Sequence, residues 1–352
     1  MSFPAKSAPR PAPVAGWLSA VAALIVLMVV VGGITRLTES GLSIVEWKPV
    51  SGTLPPLSEQ AWHDEFAAYQ TSPEYQQINR GMSLSEYKNI YFWEWLHRLI
   101  GRLIGVAFAL PLIWFWAKGA IPRGYKPRLV ALLGLGALQG VIGWWMVTSG
   151  LAQEPAVSHV RLAVHLNLAL LIIALLVWTA ADMLRGPARI SGFGWAAAAV
   201  LFVQLVYGAF VAGLDAGYAY AEWPAMGGGL LPAYVGWLEP VWRNFVDNPT
   251  IVQFFHRWWA FVAFAMLIAL GVKAMKLGSR RTPIALHLLV TLQVVLGIAT
   301  LISGVEIWIA AAHQGVAALI VWCTAACIHR IGEPAAKSEN AEAIRQSQGQ
   351  PA

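Results

Sequence analysis

The chain has 352 residues, 58% of them hydrophobic and only 12% charged, with a formal net charge of +6 and 18 Trp. A charged share about half the ~25% of soluble domains excludes an ordinary soluble protein, a disordered chain and a coiled coil, and leaves a polytopic membrane protein. The basic residues lie where membrane topology places them, so the positive charge implies no nucleic-acid partner.

In chain order, apolar stretches run at about 14–35, 91–117, 127–148, 158–182, 192–214, 251–275, 282–303 and 307–330. Each approaches the ~20 residues that cross the hydrocarbon as a helix. The first follows Lys6 and Arg10 but is too long for a signal-peptide core, so it reads as a retained helix. Lys118, Arg123, Lys126 and Arg128 follow span 2, Arg185 and Arg189 follow span 4, and Lys273, Lys276, Arg280 and Arg281 follow span 6. These loops and both termini are therefore expected in the cytoplasm of a bacterial inner membrane protein. The outer loops, at 36–90 and 215–250, carry the acidic residues. The polar tail, 331–352, is expected to be disordered. Cys323 and Cys327 share one apolar segment and cannot close large loops.

The two halves of the chain resemble each other. Trp93-Glu94-Trp95-Leu96-His97-Arg98 in span 2 matches Val252-Gln253-Phe254-Phe255-His256-Arg257 in span 6. Gln139 with Gly143 in span 3 matches Gln293 with Gly297 in span 7, and His165 in span 4 matches His313 in span 8. Glu46-Trp47-Lys48-Pro49 in the first outer loop matches Glu222-Trp223-Pro224 in the other. The expected architecture is all-α, with eight transmembrane helices forming two parallel-repeat four-helix bundles. A cytoplasmic segment (1–13) precedes a first bundle at 14–185, a second bundle spans 186–330, and the tail follows.

His97, His165, His256 and His313 lie one to two turns inside the outer ends of even-numbered spans, roughly 8–11 Å deep. Ionisable residues in a bilayer are costly and mark function. Two imidazoles at one depth on two helices are what a bundle uses to hold a heme edge-on, one on each iron face. No carboxylate or thiolate pattern completes a zinc or copper site. His63, His159, His287 and His329 fit structural or interfacial roles.

The halves differ at Glu94, which shares a helix face with His97 and is matched by Gln253. A carboxylate there can move a proton or position a water, whereas Gln253 cannot ionise. The competing reading makes Glu94 an ion pair with Arg98 near the interface. Arg36, Arg80, Arg98, Arg102, Arg161 and Arg257 are candidates to pair with heme propionates, because a guanidinium fork suits a carboxylate. The residues alone admit a heme-modifying oxidoreductase, a two-heme electron-carrying cytochrome and a heme transporter.

From about residue 30 to 325 the chain resembles the heme A synthase family. The resemblance rests on Gly33-Ile34-Thr35-Arg36-Leu37-Thr38, Ser40-Gly41-Leu42-Ser43, Pro55-Pro56-Leu57, Glu94-x-x-His97-Arg98 with Gly101-Arg102, and Gln139-Gly140 with His165. It continues through Val211-Ala212-Gly213-Leu214-Asp215-Ala216-Gly217, Gln253-Phe254-x-His256-Arg257 and His313-Gln314. The long first outer loop is of the proteobacterial and mitochondrial kind. The resemblance implies a low-spin heme b cofactor on His256 and His313, the substrate heme O on His97 and His165, and Glu94 as the catalytic glutamate. It implies oxidation of a ring methyl to a formyl group through a hydroxymethyl stage, giving heme A for cytochrome oxidase. Some members carry cysteine pairs in the outer loops; this chain has none there. The partners expected are membrane lipid, an electron donor or acceptor of unidentified kind, heme O synthase and cytochrome oxidase assembly factors. Trp-rich surfaces and small-residue helix faces admit a homo-oligomer.

Overall fold

A computed structural model describes residues 11–48, 51–152 and 155–334. Eight helices are long and apolar enough to cross a membrane. They are α1 (Pro11–Leu37), α4 (Leu84–Ala117), α5 (Lys126–Val147), α6 (His159–Arg185), α7 (Gly192–Gly213), α8 (Pro249–Lys276), α9 (Arg281–Ile302) and α10 (Ile307–Ile331). Two short helices, α2 (Glu59–Gln70) and α3 (Pro73–Gln77), lie between α1 and α4. The apolar runs form helices because a bilayer leaves backbone groups no other partner. Polar side chains set several starts: Ser158, Ser191, Asn248 and Glu306 each accept a first-turn backbone N–H.

Helix α1 packs on α4, α6 and α10, and α10 packs on α6, α8 and α9 as well. That makes α1, α6 and α10 the most buried spans, while α4 and α5 turn most of their surface outward. The shared interior is aliphatic, with Leu18, Ile173, Leu176, Leu270 and Leu286 almost fully buried. The two ends of this interior are tied by polar contacts. On the side where α6 and α10 end, buried Asp182 accepts from Arg128 of α5 and pairs with His329 Nε2 of α10 at 2.8 Å. Two short strands, β1 (Ala188–Arg189) and β2 (Glu333–Pro334), pair antiparallel beside them. On the opposite side, Arg36 donates to both carboxylate oxygens of Asp215 at 2.9 Å.

The first outer segment departs from the loop expected at 36–90. It contains α2 and α3, and α4 begins at Leu84 rather than at 91. The extension is fixed by a capping box: Ser83 accepts from the Glu86 N–H, and Glu86 accepts from the Ser83 N–H at 2.7 Å. Tyr69 and Tyr87 are fully buried there, with Tyr91, Phe66 and Trp62 around them. Buried Glu74 accepts from the Tyr69 hydroxyl at 3.0 Å, and desolvation pushes its carboxyl up to about 7. The second outer segment is also ordered, with 3₁₀ turns at Ala216–Tyr218 and Val241–Phe245. The N-terminal segment 1–10 and the tail beyond 334, expected to be disordered, lie outside the described residues, as do Pro49 and residues 50, 153 and 154.

Candidate functional site

The four histidines share one construction. Each ring lies against a glycine of the preceding long helix, where a side chain would collide. A Cβ added to Gly32 of α1 would stand 3.0 Å from Nε2 of His97, and one on Gly143 of α5 would stand 2.9 Å from His165. A Cβ on Gly208 of α7 would stand 3.0 Å from His256, and one on Gly297 of α9 would stand 2.9 Å from His313. Sequence reasoning found Gly143 and Gly297 but missed Gly32 and Gly208. Extending the repeat to the first helix of each half would have exposed them. His287, at the other end of α9, also rests on a glycine, Gly271, and contacts the Ile268 carbonyl at 3.0 Å. Glycine behind histidine is thus a packing device in itself; what sets the four apart is their shared end of the bundle.

In the second half the rings face each other. The centroids of His256 and His313 are 6.4 Å apart with planes at 83°. Two imidazole nitrogens each about 2 Å from one metal would place the ring centres roughly 6 Å apart. With that spacing His256 and His313 are the residues that would hold one heme iron between them. Both Nδ1 of His313 and Nδ1 of His165 are buried without a hydrogen-bond partner. Among the described residues no group of three or more His, Cys, Asp or Glu could hold a metal ion. Three glutamines attend these helices. Gln139 donates to the His165 carbonyl at 2.9 Å, Gln293 lies 3.3 Å from His313 Nε2, and Gln204 lies 3.1 Å from His256 Nδ1.

Glu94 is buried and its carboxylate is fully engaged. Oε2 accepts from Ser43 Oγ at 2.8 Å and from the Ile44 N–H at 2.7 Å, and Oε1 accepts from Arg98 at 2.6 Å. Arg98 also donates to the Ile44 and Glu46 carbonyls. The matched residues do the inverse job. Gln253 donates to the Gly217 and Tyr220 carbonyls, and Arg257 donates to those of Tyr220, Glu222 and Ala225. In both halves this i,i+4 pair grips the outer segment that carries the Glu-Trp motif. Only in the first half is the gripping group an acid. Ser43 and the Ile44 N–H were not singled out from sequence, although Ser43 closes the Ser40-Gly41-Leu42-Ser43 motif.

The other arginines are spread out. Arg36 is held by Asp215, and Arg102 donates to the Lys48 carbonyl at 2.9 Å. Arg161 donates to the Trp145 carbonyl and lies over the Trp145 ring at 4.7 Å. Arg80 is exposed on the outer segment. His159 faces Asp247 at 3.3 Å, and His63 is exposed. Cys323 and Cys327 are unpaired thiols.

A sequence model of a family described as cytochrome oxidase assembly protein (COX15-CtaA) matches residues 15–325. A protein of Sphingopyxis alaskensis named heme A synthase is 49% identical over 339 residues, covering 94% of this chain and 96% of its own length. A heme A synthase of Novosphingobium aromaticivorans is 50% identical over 332 residues, covering 90% and 95%. One of Rhodospirillum centenum is 51% identical over 334 residues, covering 91% and 89%.

Proposed function

We propose how two histidine pairs divide the work of a chain that belongs to the COX15-CtaA family of cytochrome oxidase assembly proteins. It is a multi-pass membrane oxidoreductase with the activity of a heme A synthase, acting on heme O to give heme A. The second bundle (186–330) holds a heme b through His256 and His313, and that heme supplies one-electron redox capacity. The first bundle (14–185) takes the substrate heme O between His97 and His165. There a ring methyl is oxidised to a formyl group through a hydroxymethyl stage. The bacterial inner membrane is the proposed location, and the positive-inside pattern supports an orientation with both termini in the cytoplasm.

The observation that carries this division is the pair Glu94 and Gln253. They occupy matched positions three residues before a histidine, and only one can exchange a proton. Ser43 Oγ, the Ile44 N–H and Arg98 hold the Glu94 carboxylate in place, so it is a fixed acceptor one helix turn from His97. Turning the methyl into a formyl group with electrons passed to an outside acceptor removes four electrons and four protons and takes one oxygen atom from water, and a fixed carboxylate beside the site can accept such protons. Arg98 and Arg257 position the outer segments over the two sites through backbone carbonyls. Electrons leave to an acceptor outside this chain. Heme O synthase and other assembly factors are the partners the reaction requires for supply and delivery.

The test is an acid-extracted heme profile from cells that make heme O but not heme A. Wild type is expected to yield heme A, or its hydroxymethyl precursor. Glu94→Gln keeps the shape and the Ser43 and Ile44 bonds; it is expected to retain heme b and lose product by at least ~100-fold. A second reading has its own support. With three donors on it, Glu94 could serve only to tether residues 43–46. In that case Ser43→Ala and Glu94→Gln would reduce product in parallel with folded protein, and Glu94→Gln with wild-type turnover per heme b would end its catalytic assignment.

A further inference from the structure

The second pocket contains a side chain that the first does not match. Gln204 of α7 stands one turn before Gly208, so both face α8 and His256. Its Nε2 lies 3.1 Å from His256 Nδ1 and donates to the His256 carbonyl at 3.2 Å. Its Oε1 is buried and has no partner. In the first half the residue one turn before Gly32 is Met28, whose methyl lies 3.3 Å from a Cβ built on Gly101. A thioether thus stands where the second half has an amide, and no side-chain amide reaches the His97 ring among the described contacts.

We propose that Gln204 is a positioning residue for His256, bracing its imidazole through Nδ1 and thereby setting the reduction potential of the heme held by the second half. The proposal rests on the assignment of that heme to His256 and His313. A neutral imidazole that binds iron through Nε2 carries its proton on Nδ1. That proton needs an acceptor in a site shielded from water. A half-turn of the Gln204 amide, which gives up the bond to the His256 carbonyl, puts its unpartnered Oε1 beside the ring where Nε2 now lies. An acceptor on Nδ1–H fixes the ring plane and raises the basicity of the ligating nitrogen. A more basic axial ligand stabilises the oxidised iron and lowers the potential.

The experiment is a spectroelectrochemical titration of the resident heme in full-length, heme-loaded protein. It compares wild type, Gln204→Leu and Gln204→Glu, with His256→Ala as control. Gln204→Leu is expected to shift the midpoint positive, because the acceptor is gone. Gln204→Glu is expected to shift it negative, because a carboxylate is the stronger acceptor. A packing role alone would move both variants in one direction or neither, and either result overturns the proposal. If Gln204→Leu does not fold, the near-isosteric Gln204→Glu decides by its sign. Loss of heme b in His256→Ala leaves the ligand assignment standing whatever the Gln204 variants do. Retention of heme b in His256→Ala overturns the assignment, and the proposal with it.

Discussion

Four glycines leave room for four imidazoles, and that room is a quantity a mutation can remove. Valine at Gly208 or Gly297 would put branched carbons where the His256 or His313 ring now lies, within the 2.9–3.0 Å already too short for a Cβ. We expect Gly208→Val and Gly297→Val to lose most heme b from the purified protein. Gly143→Val should keep heme b, as judged by the reduced-minus-oxidised spectrum, and lose product. Glu74 makes a different prediction. Its folded-state value near 7 lies above the ordinary carboxylate range because of burial. The folded outer segment therefore binds the proton that the unfolded one releases. Its stability is greatest below about pH 4.5, falls as pH rises to about 7, and is flat above that. Glu74→Gln should abolish this fall and raise hydrogen-exchange protection of α2 and α3 at pH 8 roughly tenfold or more. Equal pH dependence in both proteins would show that Glu74 is ionised at no cost.

The spans were legible because hydropathy reports the stretch of helix that sits in hydrocarbon. It does not report where a helix ends. The α4 helix shows the difference: its apolar run begins near 91, but Ser83 and Glu86 start the helix about two turns earlier. That signal, Ser-x-x-Glu, was in the sequence and lay outside the apolar window. The helices α2 and α3 were hidden for another reason. Their stability comes from packing against Tyr87 and Tyr91, which are distant in sequence, and α3 has only five residues. The second outer segment depends on α8 in the same way. Arg257 reaches three of its carbonyls from a fixed helix. Arg257→Lys keeps the charge but loses the fork. We expect it to speed limited proteolysis within 215–250 several-fold, with the α-helical content unchanged; an unaltered cleavage rate would show that the grip is dispensable.

The candidate site residues stood out because they repeat: a histidine toward the same end of every even-numbered span is visible without coordinates. The contacts that join the halves do not repeat, and this is why the sequence hid them. Arg36 with Asp215, and Asp182 with His329, each occur once. Position near the end of span 8 left His329 a structural or an interfacial role; it is buried and bonded to an acid on α6, which is the structural one. Removing one partner of a buried pair costs about 3–5 kcal/mol. Asp182→Ala should therefore lower the thermal midpoint in detergent more than Arg36→Ala, whose pair is half-exposed. Heme spectra at temperatures where Asp182→Ala remains folded should match wild type, since the cluster lies at the opposite end of α6 from His165.

The Asp182 cluster also bears on the order in which the chain is made. His329 lies 147 residues after Asp182. At about 5–20 residues per second, the acid enters the membrane roughly 7–30 s before its last partner is synthesised. During that interval Asp182 keeps its Arg128 and Ala188 contacts but lacks His329, and β1 has no strand to pair with. The chain therefore has a closing step at its far end, and a product that stops short of α10 leaves Asp182 without its buried imidazole partner.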